Sequence, residues 1–252
     1  MGPLRAVWRL CTFCPWTLGC FLAWVITRPL ALFAPNAARR AHHAAVGGWA
    51  RGAVRILGIR VEVTGSPPPP PFFLVANHLS YLDIIVLFTE VKALFLAKSE
   101  VARWPVIGLM ARSTGTLFVE RARKSDLKRV IGVMQTRLAQ GFGIVVFPEG
   151  TSTDGSTVGP FKASLFEVPA QSGLGVSYAS VSYVTPDEAP PARMKVCWWG
   201  GMPFLSHFLE LLTLPPFRAL VSFGADPIVA PDRKTLALES QRAVEAIFTP
   251  VA

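Results

Sequence analysis

The chain has 252 residues, a length that favours one large domain with a modest appendage. Hydrophobic residues make up 51% of it and charged residues 16%, against about a quarter in ordinary soluble domains. This composition excludes intrinsic disorder and argues against a wholly water-facing surface. Lysine and arginine number 25 against 16 aspartates and glutamates, a net charge of +9. With this hydrophobicity, the charge favours an anionic membrane as partner and not a nucleic acid.

The N-terminal segment is apolar and flanked by arginine on both sides. The 18 residues from Leu10 to Thr27 carry no formal charge, which is barely enough to cross a bilayer. Three interpretations stay open: a spanning helix, a helix lying in or dipping into one leaflet, and a cleaved signal peptide. Residues 37–57 predict a second, basic helix with an apolar face. We therefore predict a membrane-anchoring helical region over residues 1–57.

From Gly58 onward the sequence alternates short apolar runs with helical segments. The predicted strands are 59–64, 72–76, 93–97, 116–119, 144–147, 176–184, 196–199 and 219–223. The predicted helices are 81–89, 124–140 and 236–248. Strands alternating with helices are typical of a layered α/β core. We predict one α/β domain over residues 58–252, with a central mixed, mostly parallel sheet flanked by helices.

A histidine and an aspartate follow the predicted buried strand at 72–76. In α/β sheets, active groups gather at the carboxyl ends of strands. Positions five apart lie about 140° apart around a helix, so His78 and Asp83 can meet only if His78 precedes the helix. Asp83 would then hold one ring nitrogen and make the other more basic. The alternative is that His78 caps the helix while Asp83 interacts with its dipole.

Polar residues also follow two later strands. Arg121 follows the strand at 116–119 and could bind a phosphate or carboxylate, or form a surface ion pair. Residues 148–155, Pro-Glu-Gly-Thr-Ser-Thr-Asp-Gly, offer N–H groups and hydroxyls to an anion or a polar headgroup. Their alternative is a tight turn with Glu149 exposed. The glycine and lysine spacing of a nucleotide P-loop and the Gly-x-Ser-x-Gly elbow of serine hydrolases are both absent.

Together these segments resemble the PlsC-type glycerolipid acyltransferase family, which includes the 1-acylglycerol-3-phosphate acyltransferases. The resemblance runs from about residue 50 to beyond residue 200. The matching segments are, in chain order, His78-x4-Asp83, the stretch containing Lys98, Gly115-x2-Phe118-x2-Arg121 and Phe147-Pro-Glu149-Gly150-Thr151.

The resemblance implies that a lysolipid hydroxyl attacks the thioester of acyl-CoA or acyl carrier protein. His78 would be the general base and Asp83 its orienting carboxylate. The residues implied in acceptor binding are Arg121, Lys98, Glu149, Gly150 and Thr151. Backbone N–H groups after His78 or in the Gly150 loop could bind the oxyanion. We expect no metal and no further cofactor, and a location at the inner membrane with the catalytic domain facing the cytoplasm.

Two departures from the family pattern concern the acceptor. Phe147-Pro-Glu149-Gly150-Thr151 is similar to the family's third motif, which usually continues with arginine where this chain has Ser152. Residues 176–183 correspond to the fourth motif, which usually has proline where this chain has Tyr178. The family as a whole implies 1-acyl-sn-glycerol-3-phosphate as acceptor and phosphatidic acid as product. Relatives that acylate lyso-ornithine lipid share a Trp-Gly-x-Met stretch similar to residues 199–202, and their acceptor has no glycerol phosphate. A hypothesis of another class is a membrane lipid-binding protein that has lost turnover.

Overall fold

The computed structural model describes residues 2–120 and 123–252. The strands are β1 (Ile59–Thr64), β2 (Phe73–Ala76), β3 (Ala93–Lys98), β4 (Leu117–Val119), β5 (Gly143–Val146), β6 (Val176–Val184) and β7 (Phe217–Phe223). The helices are α1 (Gly2–Thr27), α2 (Pro35–Leu57), α3 (Leu82–Glu90), α4 (Ile107–Ser113), α5 (Lys124–Ala139), α6 (Glu167–Ser172), α7 (Ala192–Lys195), α8 (Phe204–Thr213) and α9 (Arg233–Ile247).

The strands of the described residues form one seven-stranded sheet in the order β1-β7-β6-β2-β5-β3-β4. Every neighbouring pair is parallel except β6 and β7, which are antiparallel. The predicted mixed, mostly parallel sheet is therefore confirmed. Because β2 lies between the parallel strands β5 and β6, the loop after Ala76 meets the loop after Val146 at one edge of the sheet.

A hydrophobic layer covers each face of the sheet, and β2 contributes to both. Leu74 and Ala76 pack into the layer that holds buried residues of α2, α3 and α8. Phe73 and Val75 pack into the opposite layer, with buried residues of α5 and α9. All four residues of β2 are fully buried, which explains why this strand is continuously apolar instead of alternating.

The N-terminal helices α1 and α2 form a hairpin that packs on the α/β core. Among the described residues, α1 is the one helix long and apolar enough to cross a membrane. The indole N–H of Trp16 donates to the Trp49 carbonyl oxygen at 3.1 Å, which ties α1 to α2. Arg9, only 2% exposed, donates to the carbonyl oxygens of Leu212 (3.1 Å) and Leu214 (2.8 Å) at the end of α8. α1 includes residues before the uncharged stretch, and Arg5 and Arg9 in these first turns donate to carbonyl oxygens at the end of α8.

The predicted boundary at residues 57 and 58 coincides with the end of α2, where Gly58 takes a left-handed conformation with φ 74°. The division into an anchoring and a catalytic domain itself stays a prediction.

The predicted strand at 196–199 is wrong. These residues form a loop after α7, in which the N–H of Cys197 donates to the Ala192 carbonyl oxygen at 3.0 Å. The next N–H, of Trp198, donates to the carbonyl oxygen of Leu79 at 2.8 Å. Val196 and Cys197 are fully buried because the loop covers the segment after β2, and burial of a loop produces the same apolar run as a strand.

We expect Arg9→Ala to lower the free energy of unfolding of the full chain by about 2 kcal/mol, because two buried carbonyl oxygens lose a charged donor. Denaturant unfolding in detergent micelles measures this loss. Arg55→Ala removes the same charge from an exposed position on α2 and is the matched control. Equal losses in the two variants would contradict the docking role of Arg9.

Candidate active site

The site begins where β2 ends, at a buried asparagine. The side-chain amide of Asn77 donates to the carbonyl oxygen of Val181 at 2.9 Å and accepts from the N–H of the same residue at 2.8 Å. This pair of bonds continues the ladder between β2 and β6 by one more residue, with a side chain acting as backbone. The main chain that carries His78 is thereby fixed to the centre of the sheet.

His78 precedes α3 and Asp83 lies in its first turn, the arrangement that contact between them requires. Nδ1 of His78 lies 2.7 Å from Oδ2 of Asp83, and the side chains are 19% and 0% exposed. The same oxygen accepts from the N–H groups of Leu79 (2.7 Å) and Ser80 (3.0 Å). A carboxylate that accepts several N–H groups is stabilised in its charged form. Nδ1 of the neutral ring is then the donor to Asp83, and Nε2 is the nitrogen able to accept a proton.

The loop after β5 holds the main chain of His78. Oε1 of Glu149 accepts from the N–H of His78 at 2.7 Å, and Oε2 accepts from the N–H of Gly159 at 3.0 Å. The N–H of Thr153 donates to the carbonyl oxygen of His78 at 2.9 Å. Phe147 stacks on the imidazole with centroids 4.2 Å apart and planes 13° apart. The third motif therefore supports the histidine from several sides.

Glu149 is 4% exposed, so the alternative of an exposed turn residue is wrong. Its carboxylate contacts main-chain N–H groups behind the imidazole. Burial raises the pKa of Glu149 from its ordinary 4.5 to about 7, partly opposed by the N–H groups of His78 and Gly159.

A cavity of about 440 Å³ opens over His78. Its lining, among the described residues, combines aliphatic and polar residues with six aromatic ones, which are Tyr81, Trp104, Phe147, Trp198, Trp199 and Phe204. The hydroxyl of Tyr81 lies 3.0 Å from Nδ1 of His207, whose Nε2 lies 3.1 Å from the carbonyl oxygen of Cys197. Because a carbonyl only accepts, Nε2 of His207 carries the proton and Nδ1 accepts from Tyr81. The sequence does not predict this aromatic lining; the two adjacent tryptophans, Trp198 and Trp199, are its one signal.

Three of the remaining candidate residues line the cavity, and one lies outside the described residues. Lys98, at the exposed end of β3, lines the cavity together with Gly150 and Thr151, so these three share a site with His78. Ser152 also lines the cavity, and its hydroxyl donates to the carbonyl oxygen of Trp198. Arg121 lies outside the described residues.

The expected oxyanion donors directly after His78 are already engaged. The N–H groups of Leu79 and Ser80 donate to Asp83, and the N–H of Gly150 donates to the Phe147 carbonyl oxygen at 3.1 Å. The first two therefore serve the carboxylate and not a substrate.

The raised pKa of Glu149 makes a pH-dependent stability testable. The folded protein binds the proton of the Glu149 carboxyl group more tightly than the unfolded chain does. The protonated carboxyl group therefore adds to the unfolding free energy below pH 4.5, and this contribution is lost as pH rises through about 7. We expect the unfolding free energy of wild type, minus that of Glu149→Gln, to fall by about 3 kcal/mol over this range. Taking the difference cancels the titration of groups that do not interact with Glu149. A difference independent of pH would contradict the assignment.

Comparison with known proteins agrees with the geometry. Residues 60–184 match the profile of a family described as Acyltransferase, a range that contains His78, Asp83 and Glu149. A lyso-ornithine lipid O-acyltransferase of Rhodobacter capsulatus is 36% identical over 78% of this chain and 72% of that protein. Another, of Brucella abortus, is 33% identical over 79% of each. A 1-acyl-sn-glycerol-3-phosphate acyltransferase of Neisseria gonorrhoeae is 32% identical over 59% of this chain and 62% of that protein.

The fold also matches a solved structure. The crystal structure of the 1-acyl-sn-glycerophosphate (LPA) acyltransferase PlsC from Thermotoga maritima superimposes with a TM-score of 0.70. The match covers 98% of each chain at 21% identity, so it bears on the fold alone. The identities and coverage of the sequence relatives carry the assignment: this chain belongs to the acyltransferase family.

Proposed function

We propose that the chain is a lysolipid O-acyltransferase in which His78 is the general base. The observation that carries the proposal is the 2.7 Å contact between Nδ1 of His78 and buried Asp83 at the edge of the cavity. With Nδ1 committed to Asp83, Nε2 accepts the proton of the acceptor hydroxyl as its oxygen attacks the thioester carbonyl. Asp83 stabilises the imidazolium that forms.

The rest of the step follows from thioester chemistry. The carbon–oxygen bond forms, the carbon–sulfur bond breaks, and the proton held by His78 passes to the departing thiolate. A thiol with a pKa of about 8.5 leaves with little acid assistance, so one imidazole suffices. We propose acyl-CoA or acyl carrier protein as the donor. The aromatic walls of the cavity suit the acyl chain, because they offer apolar area at low cost in conformational entropy.

For the acceptor we propose lyso-ornithine lipid. The Rhodobacter and Brucella relatives that carry this name match over more than three quarters of the chain. Ser152 replaces the arginine of the third motif and is bonded to the Trp198 loop, so this position supplies no guanidinium to a phosphate. Ornithine is an amino acid with no phosphate group. The second candidate is 1-acyl-sn-glycerol-3-phosphate, which the Neisseria relative favours.

We propose two cationic residues as contacts of the acceptor headgroup, one from the structure and one from the family resemblance. Lys98 stands at the cavity rim, where an ammonium suits either a carboxylate or a phosphate. We retain Arg121 as a second acceptor-binding residue, from the family resemblance. Gly150 and Thr151 line the cavity close to His78, and we propose that they bind the reacting end of the lipid.

We further propose that the protein lies on the cytoplasmic face of the inner membrane. Arg9 bonds the first turns of α1 to the end of α8, and Phe13 packs against Phe208 further along the same helix, so α1 lies along α8. This contact supports a helix lying in one leaflet over one that crosses the bilayer. Each lysine or arginine near an anionic leaflet adds about 1 kcal/mol of attraction. The arginines of α2 therefore help to hold the site at the surface that contains its acceptor.

The decisive experiment gives the purified full chain, in mixed micelles with acyl-CoA or acyl carrier protein, a panel of lysolipids. We expect thiol release with lyso-ornithine lipid at a kcat/KM at least about 10-fold above that with 1-acyl-sn-glycerol-3-phosphate, a difference of about 1.4 kcal/mol. His78→Ala is expected to abolish thiol release and to retain binding to anionic vesicles.

Two outcomes would contradict these proposals. The reverse preference would assign the phosphate acceptor instead. Binding of lysolipid without turnover in wild type would support a lipid-binding protein and reject the enzyme.

A further inference from the structure

A tyrosine from the centre of the sheet contacts the catalytic carboxylate. The hydroxyl of Tyr183, on β6, donates to Oδ1 of Asp83 at 2.6 Å, and the whole side chain is 1% exposed. Its ring packs edge-on against Phe217, with centroids 6.2 Å apart. The two residues are 100 positions apart in sequence, so the sheet topology alone brings them together.

The direction of this hydrogen bond is fixed by chemistry. Burial, and after it the neighbouring carboxylate of Asp83, raise the pKa of Tyr183 well above its usual value of 10. The phenol therefore stays protonated throughout the physiological range and donates.

In the described part of the chain, four hydrogen-bond donors contact the Asp83 carboxylate, three at Oδ2 and one at Oδ1. Oδ2 faces Nδ1 of His78 and the N–H groups of Leu79 and Ser80. Among the described residues, the partner recorded for Oδ1 is Tyr183. The carboxylate is fully buried, so removing this donor leaves one of its oxygens away from water without a compensating bond.

We propose that Tyr183 is a positioning residue, which fixes the plane of the Asp83 carboxylate and limits how strongly that carboxylate holds a proton on His78. This inference rests on the proposed function, in which His78 must be unprotonated to act as base. Asn77 is bonded to Val181, two residues before Tyr183 on the same strand. Strand β6 therefore bonds both to the loop that carries His78 and to the carboxylate of Asp83 that orients its imidazole.

The proposal predicts the direction in which the pH dependence of catalysis changes when Tyr183 loses its hydroxyl. A carboxylate with one donor fewer is a stronger acceptor, so it holds the imidazolium form of His78 more tightly. The ring then stays protonated to a higher pH, and the acid limb of kcat/KM moves upward. Besides Asp83, the titratable group beside His78 among the described residues is Glu149, whose pKa burial raises to about 7. Its carboxylate accepts from the N–H groups of His78 and Gly159, so we expect its titration to be the same in wild type and in a variant without the Tyr183 hydroxyl. If Tyr183 had only a structural role, removing its hydroxyl would lower the stability of the protein and the amount of active enzyme without moving this acid limb.

The test compares Tyr183→Phe with wild type in micelles, using the acceptor that wild type turns over. We expect kcat to fall by about 10- to 100-fold, the range for loss of one hydrogen bond to a charged group. The acid limb of kcat/KM is expected to shift upward by about one pH unit. The KM values of both substrates should change by less than about 3-fold, because the phenol lies behind the carboxylate.

Ser180→Ala is the matched control. It removes a buried hydroxyl from the same strand, where Ser180 donates to the carbonyl oxygen of Ile247 at 2.8 Å, away from the site. This variant is expected to lose stability and to keep the wild-type pH profile. If Tyr183→Phe fails to fold, 3-fluorotyrosine at position 183 retains the packing and is a stronger donor. It should move the acid limb downward.

A double variant separates action through Asp83 from direct action. In the Asp83→Asn background, removing the Tyr183 hydroxyl is expected to lower kcat by less than about 2-fold. An unshifted acid limb in Tyr183→Phe, an unshifted limb with fluorotyrosine, or a full additional loss in the double variant would each overturn the inference. Wild type without acyl transfer would instead reject the proposed function.

Discussion

A fully buried carboxylate is the constraint around which this structure is arranged. Asp83 has no contact with water, and a charge in that position is tolerated only when donors surround it. The imidazole of His78, two main-chain N–H groups and the phenol of Tyr183 meet that need. The same contact with Asp83 fixes the orientation of the imidazole of His78. Fold stability and catalytic geometry therefore depend on one group.

The α/β architecture explains how so many donors converge. β2, β5 and β6 are neighbours at the centre of the sheet, and the loops after β2 and β5 leave from the same edge. The loop after β2 supplies Asn77 and His78, the loop after β5 supplies Phe147 and Glu149, and β6 supplies Tyr183. Each strand is held by buried side chains on both faces, so the site inherits the rigidity of the core. The cavity over His78 is lined by residues of α3, β3, α4 and α8 and of the loops between them.

Much of this could be predicted from the sequence, and the rest could not for identifiable reasons. The pairing of His78 with Asp83 is local, so spacing and the position after a buried strand sufficed. Glu149 was recognised by its motif, but its contact with the main chain of His78 depends on the adjacency of β2 and β5. Tyr183 was not singled out, because nothing local distinguishes it from other apolar positions of β6. The apolar run at residues 196–199 predicts a strand, but these residues form a loop that covers the segment after β2. A buried loop has the same pattern of apolar residues as a buried strand.

The most direct test of this account is the tautomer of His78, read from nitrogen-15 NMR of labelled enzyme in micelles. The chain has four histidines, and the spectrum of His78→Gln identifies the resonances of His78. Above the pH at which the ring loses its extra proton, we expect a protonated Nδ1 with a strongly downfield proton and an unprotonated Nε2. A ring with its proton on Nε2, or one whose Nδ1 resonance is unaffected by Asp83→Asn, would contradict the mechanism.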